Sequence, residues 1–331
     1  MRDPTVTIEP PAPPVLEVEG LKKHFVIHKR PLRPSAGRVY AVDGVSFSIR
    51  KGETLGLVGE SGCGKSTVGR TVLRLIEPTA GSIKIDGEEI THLSRAELRP
   101  YRRQMQIIFQ DPFASLDPRM SARDIVGEPL AVHGVARGRD KLDRVAALFE
   151  RVGLRKAQLG NYPHQFSGGQ RQRIGIARAL ALSPKLIIGD EPVSSLDVSI
   201  QAQVLNLMMD LQRELDLAYL FISHNLAVVE HISHFIAVMY LGRIVEYTDK
   251  KTLFRSPQHP YTESLLLAVP VPDPRIKRPK RVLMGDVPSP VKPPPGCHFH
   301  TRCPYVFDRC KVESPALREV KPGQWAACHL R

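Results

Sequence analysis

Three kinds of apolar spacing follow one another along the chain, and each predicts a different element. Short, nearly unbroken apolar runs at 54–58, 105–109, 186–189, 218–222 and 235–240 predict buried strands. Alternation predicts strands at 15–27 and at 39–50, the latter through Val45-Ser46-Phe47-Ser48-Ile49. Further strands are predicted at 82–86, closed by an Asp86-Gly87 turn, and at 243–247. Helical spacing appears at Val68, Val72, Leu75 and Ile76, and again at Val145, Leu148, Phe149 and Val152. Helices are also predicted at 94–102, where Ser94 and Glu97 form a capping pair, and at 168–182 and 198–215. Strands alternating with helices predict an α/β fold with a largely parallel, doubly wound sheet. The helical stretch inserted after Gln110 reads as a subdomain.

The polar and proline-rich stretches mark the edges. Residues 1–14 carry prolines at 4, 10, 11, 13 and 14 and are expected to form a disordered tail. Residues 28–38 are basic and broken by Pro31, Pro34 and Gly37, which predicts a hairpin or long loop. After Ala268 a proline-rich, basic linker leads to a tail of about 35 residues, too small to be stable without a staple.

With 331 residues, the chain can form one large domain and a smaller appendage. No apolar run reaches membrane-spanning length, and the N-terminus lacks a signal-peptide core, so the cytoplasm is the expected compartment. A net charge of +13 permits nucleic acid, an anionic membrane surface or an anionic ligand without choosing among them. Of five cysteines, Cys63 stands alone and Cys297, Cys303, Cys310 and Cys328 crowd the tail. In a reduced compartment that clustering points to metal rather than disulfides.

Candidate chemistry centres on Gly59-Glu60-Ser61-Gly62-Cys63-Gly64-Lys65-Ser66-Thr67. It fits G-x-x-x-x-G-K-[ST] and stands between a predicted strand and a predicted helix. Glycines let backbone N–H groups turn towards phosphates, and the helix start adds partial positive charge. Lys65 would reach the β- and γ-phosphates, and Ser66 would ligate Mg²⁺. A chance glycine-rich turn is the plain alternative. Asp190-Glu191 closes an apolar strand downstream, where parallel strands deliver their ends to the same crevice. Asp190 can hold Mg²⁺, and Glu191 can orient and deprotonate the attacking water. Ser167-Gly168-Gly169-Gln170 opens another helix with a cap and two glycines, a second anion site on the same chain. One chain needs one phosphate loop, so the second site implies a partner's nucleotide.

Together these stretches resemble the ATP-binding subunits of ABC transporters, with motifs in the family's order over 15–250. The resemblance implies a P-loop NTPase fold: a RecA-like mixed sheet, an antiparallel β-subdomain and a helical subdomain at about 111–182, ending near 255. It implies ATP and Mg²⁺ as ligands, and Lys65, Gln110, Glu191 and His224 as catalytic residues. Gln110 matches the Q-loop glutamine that touches Mg²⁺ and senses the permease. Ser167 to Gln170 match the signature, Ser194-Ser195-Leu196-Asp197 resembles the D-loop, and His224 matches the switch histidine. Phe25 is expected to stack on adenine, with Tyr40 as second choice. Asn225 departs from the family, where many members carry Asp.

Finer features resemble the dipeptide and oligopeptide importers. These are the segment from Phe109 through Asp117-Pro118-Arg119, Gln258-His259-Pro260-Tyr261-Thr262 opening a segment at 256–295, and Pro293-Pro294-Pro295-Gly296-Cys297 opening a tail at 296–331. Five, six and seventeen residues separate successive tail cysteines, and no Cys-x-x-Cys pair occurs, which argues against a common zinc ribbon. Relatives with this spacing imply a 4Fe–4S cluster on Cys297, Cys303, Cys310 and Cys328. His298, His300 and His329 keep zinc open as the alternative.

The implied role is ATP-driven import of di- or oligopeptides, with glutathione or nickel as alternative cargo. The implied partners are a second, related ATPase chain, two transmembrane permease subunits and, indirectly, a periplasmic binding protein. The implied place is the cytoplasmic face of the inner membrane, with no specific nucleic acid partner. A soluble ABC ATPase acting on nucleic acid or ribosomes, and a regulatory nucleotide binder, are the competing readings.

Overall fold

A computed structural model describes residues 13–27, 37–268 and 285–331. The expected N-terminal tail up to residue 12, the basic loop up to residue 36 and the linker at 269–284 lie outside the described residues. The strands are β1 (Leu16–Ile27), β2 (Gly37–Ile49), β3 (Thr54–Val58), β4 (Ala80–Ile85), β5 (Glu88–Glu89) and β6 (Met105–Ile108). They continue as β7 (Leu186–Asp190), β8 (Ala218–Ser223), β9 (Phe235–Tyr240), β10 (Arg243–Asp249), β11 (Arg318–Lys321) and β12 (Gln324–Ala326). The α-helices are α1 (Lys65–Val72), α2 (Arg99–Gln104), α3 (Ala122–Val132), α4 (Gly138–Arg151) and α5 (Gly168–Leu180). They are followed by α6 (Val198–Leu215), α7 (Leu226–Ile232), α8 (Lys250–Arg255), α9 (Pro260–Leu267) and α10 (Asp308–Val312).

The main sheet has the order β11-β12-β10-β9-β3-β8-β7-β6. From β9 to β6 all pairings are parallel; β10 and the two tail strands attach antiparallel. The sheet is therefore mixed, as the family resemblance implies, rather than parallel throughout. Its period-two pleat sorts neighbours into two cores. Tyr219 and Phe221 of β8 join Phe149 and Ile174 of the helical subdomain, while Ala218, Leu220 and Ile222 face α1 and the second sheet. That second sheet, β2-β1-β4-β5, is antiparallel and closes over β3 with Leu16, Val18, Val45 and Ile49. In the helical subdomain Phe149 is fully buried with Ile125, Val126, Val145 and Val152.

Two helices differ from expectation for local reasons. The Ser94–Glu97 cap forms, with Ser94 N–H donating to the Glu97 carboxylate at 2.8 Å, yet regular helix begins only at Arg99. Pro100 has no N–H to continue the ladder of the first turn. Helix α1 stops at Val72 rather than running to Ile76. Arg74 turns left-handed (φ 51°) and its buried guanidinium donates to the carbonyls of Ile90, Thr91 and Leu93.

The tail extends the main sheet rather than standing apart. Trp325 and Ala326 pair with Tyr247 and Glu246 of β10. Buried Glu246 accepts the N–H groups of Gln258 (2.7 Å) and His259 (2.8 Å) and the Gln324 amide (3.2 Å). Among the described residues no helix is long and apolar enough to cross a membrane.

Candidate nucleotide site

The ends of β3, β7 and β8 meet beside the phosphate loop, as a parallel sheet requires. The loop leaves β3 at Gly59 and re-enters helix at Gly64, with φ of 156° and 107°. A side chain at Gly64 would collide with the Ala41 carbonyl, and one at Gly59 with the Met239 carbonyl. These two glycines let the loop lie flat against β2 and β9. Helix α1 begins with no side-chain cap, so its first N–H groups face the cavity. Lys65 is buried, and its ammonium donates to the Gly59 (2.8 Å) and Glu60 (3.0 Å) carbonyls. Burial pushes the Cys63 thiol up, so this cysteine is a packing residue in the loop.

A cavity of about 530 Å³ opens over the loop, lined by Ser61, Gly62, Gly64, Lys65, Ser66, Thr67, Gln110, Glu191, His224, Val39, Ala41 and Pro290. Ser66 Oγ donates to Asp190 Oδ1 at 2.6 Å, so the two residues expected at Mg²⁺ are already adjacent. Asp190 is buried, with Arg70 Nη2 3.5 Å from its second oxygen. One oxygen of Glu191, Oε2, accepts the Gln110 amide at 3.1 Å and lies 3.0 Å from His224 Nδ1. Glu191 itself sits in the left-handed region (φ 51°), an unusual conformation for glutamate that turns its carboxylate back over the cavity. Asn225 caps α7, accepting from the Ala227 (3.0 Å) and Val228 (3.4 Å) N–H groups. Its departure from the family's Asp is accommodated by that cap.

Phe25 and Tyr40 do not line this cavity. Tyr40 stands edge-on to His24 at 4.6 Å between ring centroids, and the Lys23 ammonium lies 5.0 Å over the Phe25 ring.

The signature is built as a capping box. Ser167 Oγ accepts the Gln170 N–H (3.3 Å), and Gln170 Oε1 accepts the Ser167 N–H (3.0 Å). Gly169 lies against α6, where a Cβ would press on Ile200. Ser167 is exposed, as are Ser195 and Asp197 of the expected D-loop, with Ser194 and Leu196 half-buried between them. None of these residues lines the phosphate-loop cavity. The D-loop touches the catalytic group through Ser195 Oγ, 3.4 Å from the Gln110 carbonyl.

This layout matches known proteins at two levels. A family model described as ABC transporter matches residues 42–194, and one described as Oligopeptide/dipeptide transporter, C-terminal region matches 245–310. Over 319 residues the chain is 55% identical to the oligopeptide transport ATP-binding protein AppF of Bacillus subtilis (strain 168), covering 96% of this chain and 97% of that protein. The chain belongs to the ABC transporter ATP-binding proteins. It is 52% identical over 317 residues to the probable peptide ABC transporter ATP-binding protein y4tS of Sinorhizobium fredii (strain NBRC 101917 / NGR234), with coverages of 96% and 90%. Among solved structures it is similar to the dimeric, post-hydrolysis ATP-binding cassette MJ0796 bound to ADP and Pi. There the TM-score is 0.63 at 27% identity, covering 71% of this chain and 98% of that one. The chain is thus an ABC ATPase; its Lys65, Glu191 and His224 line one cavity, and buried Asp190 reaches that cavity's edge through its hydrogen bond with Ser66.

The expectation for the tail is corrected in part. The four thiols do converge: Cys297, Cys303, Cys310 and Cys328 line one cavity of about 10 Å³ with His259, His300 and His329. Yet among the described residues no group of three or more His, Cys, Asp or Glu side chains is arranged to hold a metal ion, so the iron–sulfur and zinc expectations find no support in it. Burial pushes the thiols of Cys297, Cys328 and Cys303 up, the last to about 11.

The role of the Gln258 to Thr262 segment was legible only as a resemblance. His259 Nδ1 accepts the Tyr261 N–H at 3.1 Å and caps α9, Pro260 occupies the first turn, and the Tyr261 hydroxyl accepts the Glu60 N–H at 2.8 Å. No spacing rule in the sequence announces that last contact, which joins residues 201 apart.

Proposed function

We propose that this chain energises import of di- or oligopeptides across the bacterial inner membrane, as one of two related ATPase subunits seated on the cytoplasmic side of two transmembrane permease subunits. A periplasmic binding protein would deliver the cargo. The observation that carries the reading is the separation just described. The signature is capped, and Ser167, Ser195 and Asp197 are exposed, yet no signature or D-loop residue lines this chain's own cavity. They are suited to complete the nucleotide site of a facing ATPase chain, while that chain's signature completes this one. The similarity of the C-terminal region to oligopeptide/dipeptide transporters supports peptide as the cargo class.

In the proposed cycle Lys65 and the loop N–H groups hold the phosphates. Ser66, Asp190 and Gln110 would hold Mg²⁺, which when bound would supply positive charge to the phosphates. Glu191 takes a proton from the attacking water, and His224 holds its carboxylate and reaches the γ-phosphate. Gln110 links that carboxylate to the exposed segment at 111–119, which suits it to report on the permease. Exposed Phe113, stacked on Arg171 at 3.7 Å, is the apolar contact this segment offers. A 4Fe–4S cluster, with zinc as alternative, is the finer reading that the resemblance adds; the four cysteines line one small cavity, Cys310 and Cys328 buried and Cys297 and Cys303 half-buried. Iron in the purified chain, with brown absorbance lost in Cys303→Ser, tests that part.

The function is tested in vesicles holding this chain, its related ATPase chain and the permease pair. ATP-dependent uptake of a labelled dipeptide is expected, and Glu191→Gln abolishes it. Uptake of glutathione or nickel instead would reassign the cargo. Co-purification with nucleic acid or ribosomes in place of permease chains would overturn the transport role.

A further inference from the structure

Glu60 is the second residue of the phosphate loop, and three of its polar groups are engaged. Its carbonyl accepts Lys65, its N–H donates to the Tyr261 hydroxyl, and its carboxylate accepts both arms of Arg302 at 2.7 and 3.0 Å. The latter two partners come from the C-terminal part of the chain, 201 and 242 residues away. Arg302 is nearly buried, with 5% of its side chain exposed. It lies 5.9 Å over Tyr240, whose ring packs with Tyr261 (4.7 Å) and Phe299 (5.3 Å). The fork is thus fixed before it meets the carboxylate, the condition under which a bidentate pair holds geometry.

Glu60 also sets an electrostatic problem. A carboxylate in the phosphate loop repels a triphosphate. Arg302 neutralises it and draws it to the side away from the cavity, whose lining does not include Glu60. On the other side of the cavity the same C-terminal part returns. The Tyr40 N–H donates to the Pro290 carbonyl at 3.0 Å, and the Pro290 ring lines the cavity beside Val39 and Ala41. The C-terminal part therefore touches the phosphate loop through Glu60 and the cavity wall through Pro290.

We propose that the C-terminal extension is a working part of the ATP site. Arg302 is a positioning residue that, through Glu60, keeps the phosphate loop open to polyanions. Pro290, with Val39 and Ala41, forms an aliphatic wall for the base. Neither role belongs to a residue of the phosphate loop itself.

The test is equilibrium binding to the full chain, with ATP and inorganic tripolyphosphate as paired probes. Arg302→Met is expected to weaken both probes about tenfold, and Arg302→Lys to weaken them less, keeping charge without the fork. Adding Glu60→Gln to Arg302→Met should recover most of the loss, because the repelling charge is gone. An attachment role for Arg302 predicts no such rescue. Pro290→Gly should weaken ATP roughly fivefold and leave tripolyphosphate unchanged. Tyr261→Phe removes the acceptor of the Glu60 N–H while keeping the packing. It should weaken both probes, and it serves if Arg302→Met fails to fold. Wild-type tripolyphosphate binding by Arg302→Met or Tyr261→Phe, or an unchanged ATP-to-tripolyphosphate ratio in Pro290→Gly, overturns the proposal. So does loss of ATP binding in Phe25→Ala with Pro290→Gly silent, which would return the base to the aromatic.

Discussion

Two helices of this chain begin at glycine-rich turns, and they begin differently. Helix α1 starts at Gly64 without a side-chain cap, over a cavity that also holds Lys65, Glu191 and His224. Helix α5 starts at exposed Ser167 with both halves of a capping box closed, and its first residues do not line that cavity. An uncapped start leaves N–H groups to a ligand held in place by surrounding charge. A capped and exposed start is stable alone and adds donors to a ligand presented from outside. On the proposed reading the first is a complete phosphate cradle, and the second is half of a site.

The comparison can be broken at either end, and the expected effects fall in order. Glu191→Gln removes the proton acceptor of the first site. ATP turnover by the assembled ATPase should drop by about a thousandfold, with ATP binding retained. Turnover left intact would make another group the base. Lys65→Ala should lower ATP affinity by about a hundredfold, because it strips the buried ammonium from the cradle. Equal ATP affinity in that variant would show that the loop N–H groups suffice.

The third effect concerns the brace behind the cradle. Burial pushes His259 down to about 3, with Arg331 acting in the same direction. In the unfolded chain this histidine takes up its proton near the ordinary value of about 6.5. The unfolded state therefore binds the extra proton between those values, and stability falls as pH drops through 6.5 towards 3. From pH 6.5 to 5 the loss reaches about 2 kcal/mol, and His259→Asn should flatten it in denaturant melts. An identical slope in the variant would assign the pH dependence elsewhere. The smallest effect is on the second helix start. Ser167→Ala should cost about 1 kcal/mol of stability through the lost cap and leave this chain's own ATP affinity untouched.

The sequence announced the first site almost completely. Gly59, Gly64, Lys65 and Ser66 are bound to a local spacing, and Asp190-Glu191 to a strand end, so short-range rules reach them. The bent backbone at Glu191 and the convergence of Gln110 and His224 on one carboxylate oxygen depend on three strand ends meeting, which the family order implied and spacing alone does not. The tail was the least legible. Strand β12 has three residues, and its pairing partner Glu246 reads as an exposed acid until it is seen buried and bonded to Gln258 and His259. The Arg302–Glu60 pair joins two ordinary charged residues across most of the chain. Charge type predicts neither the pairing nor its burial.

The central claim is that the Ser167 end serves a nucleotide bound elsewhere. It is tested by one paired measurement on Ser167→Arg: ATP affinity of the isolated chain, and ATP turnover of the chain assembled with its partner ATPase and permease. The account predicts wild-type affinity and turnover reduced by about a hundredfold or more. Full-speed turnover by the dilute, unaccompanied variant, or a loss of affinity matching the loss of turnover, would contradict it.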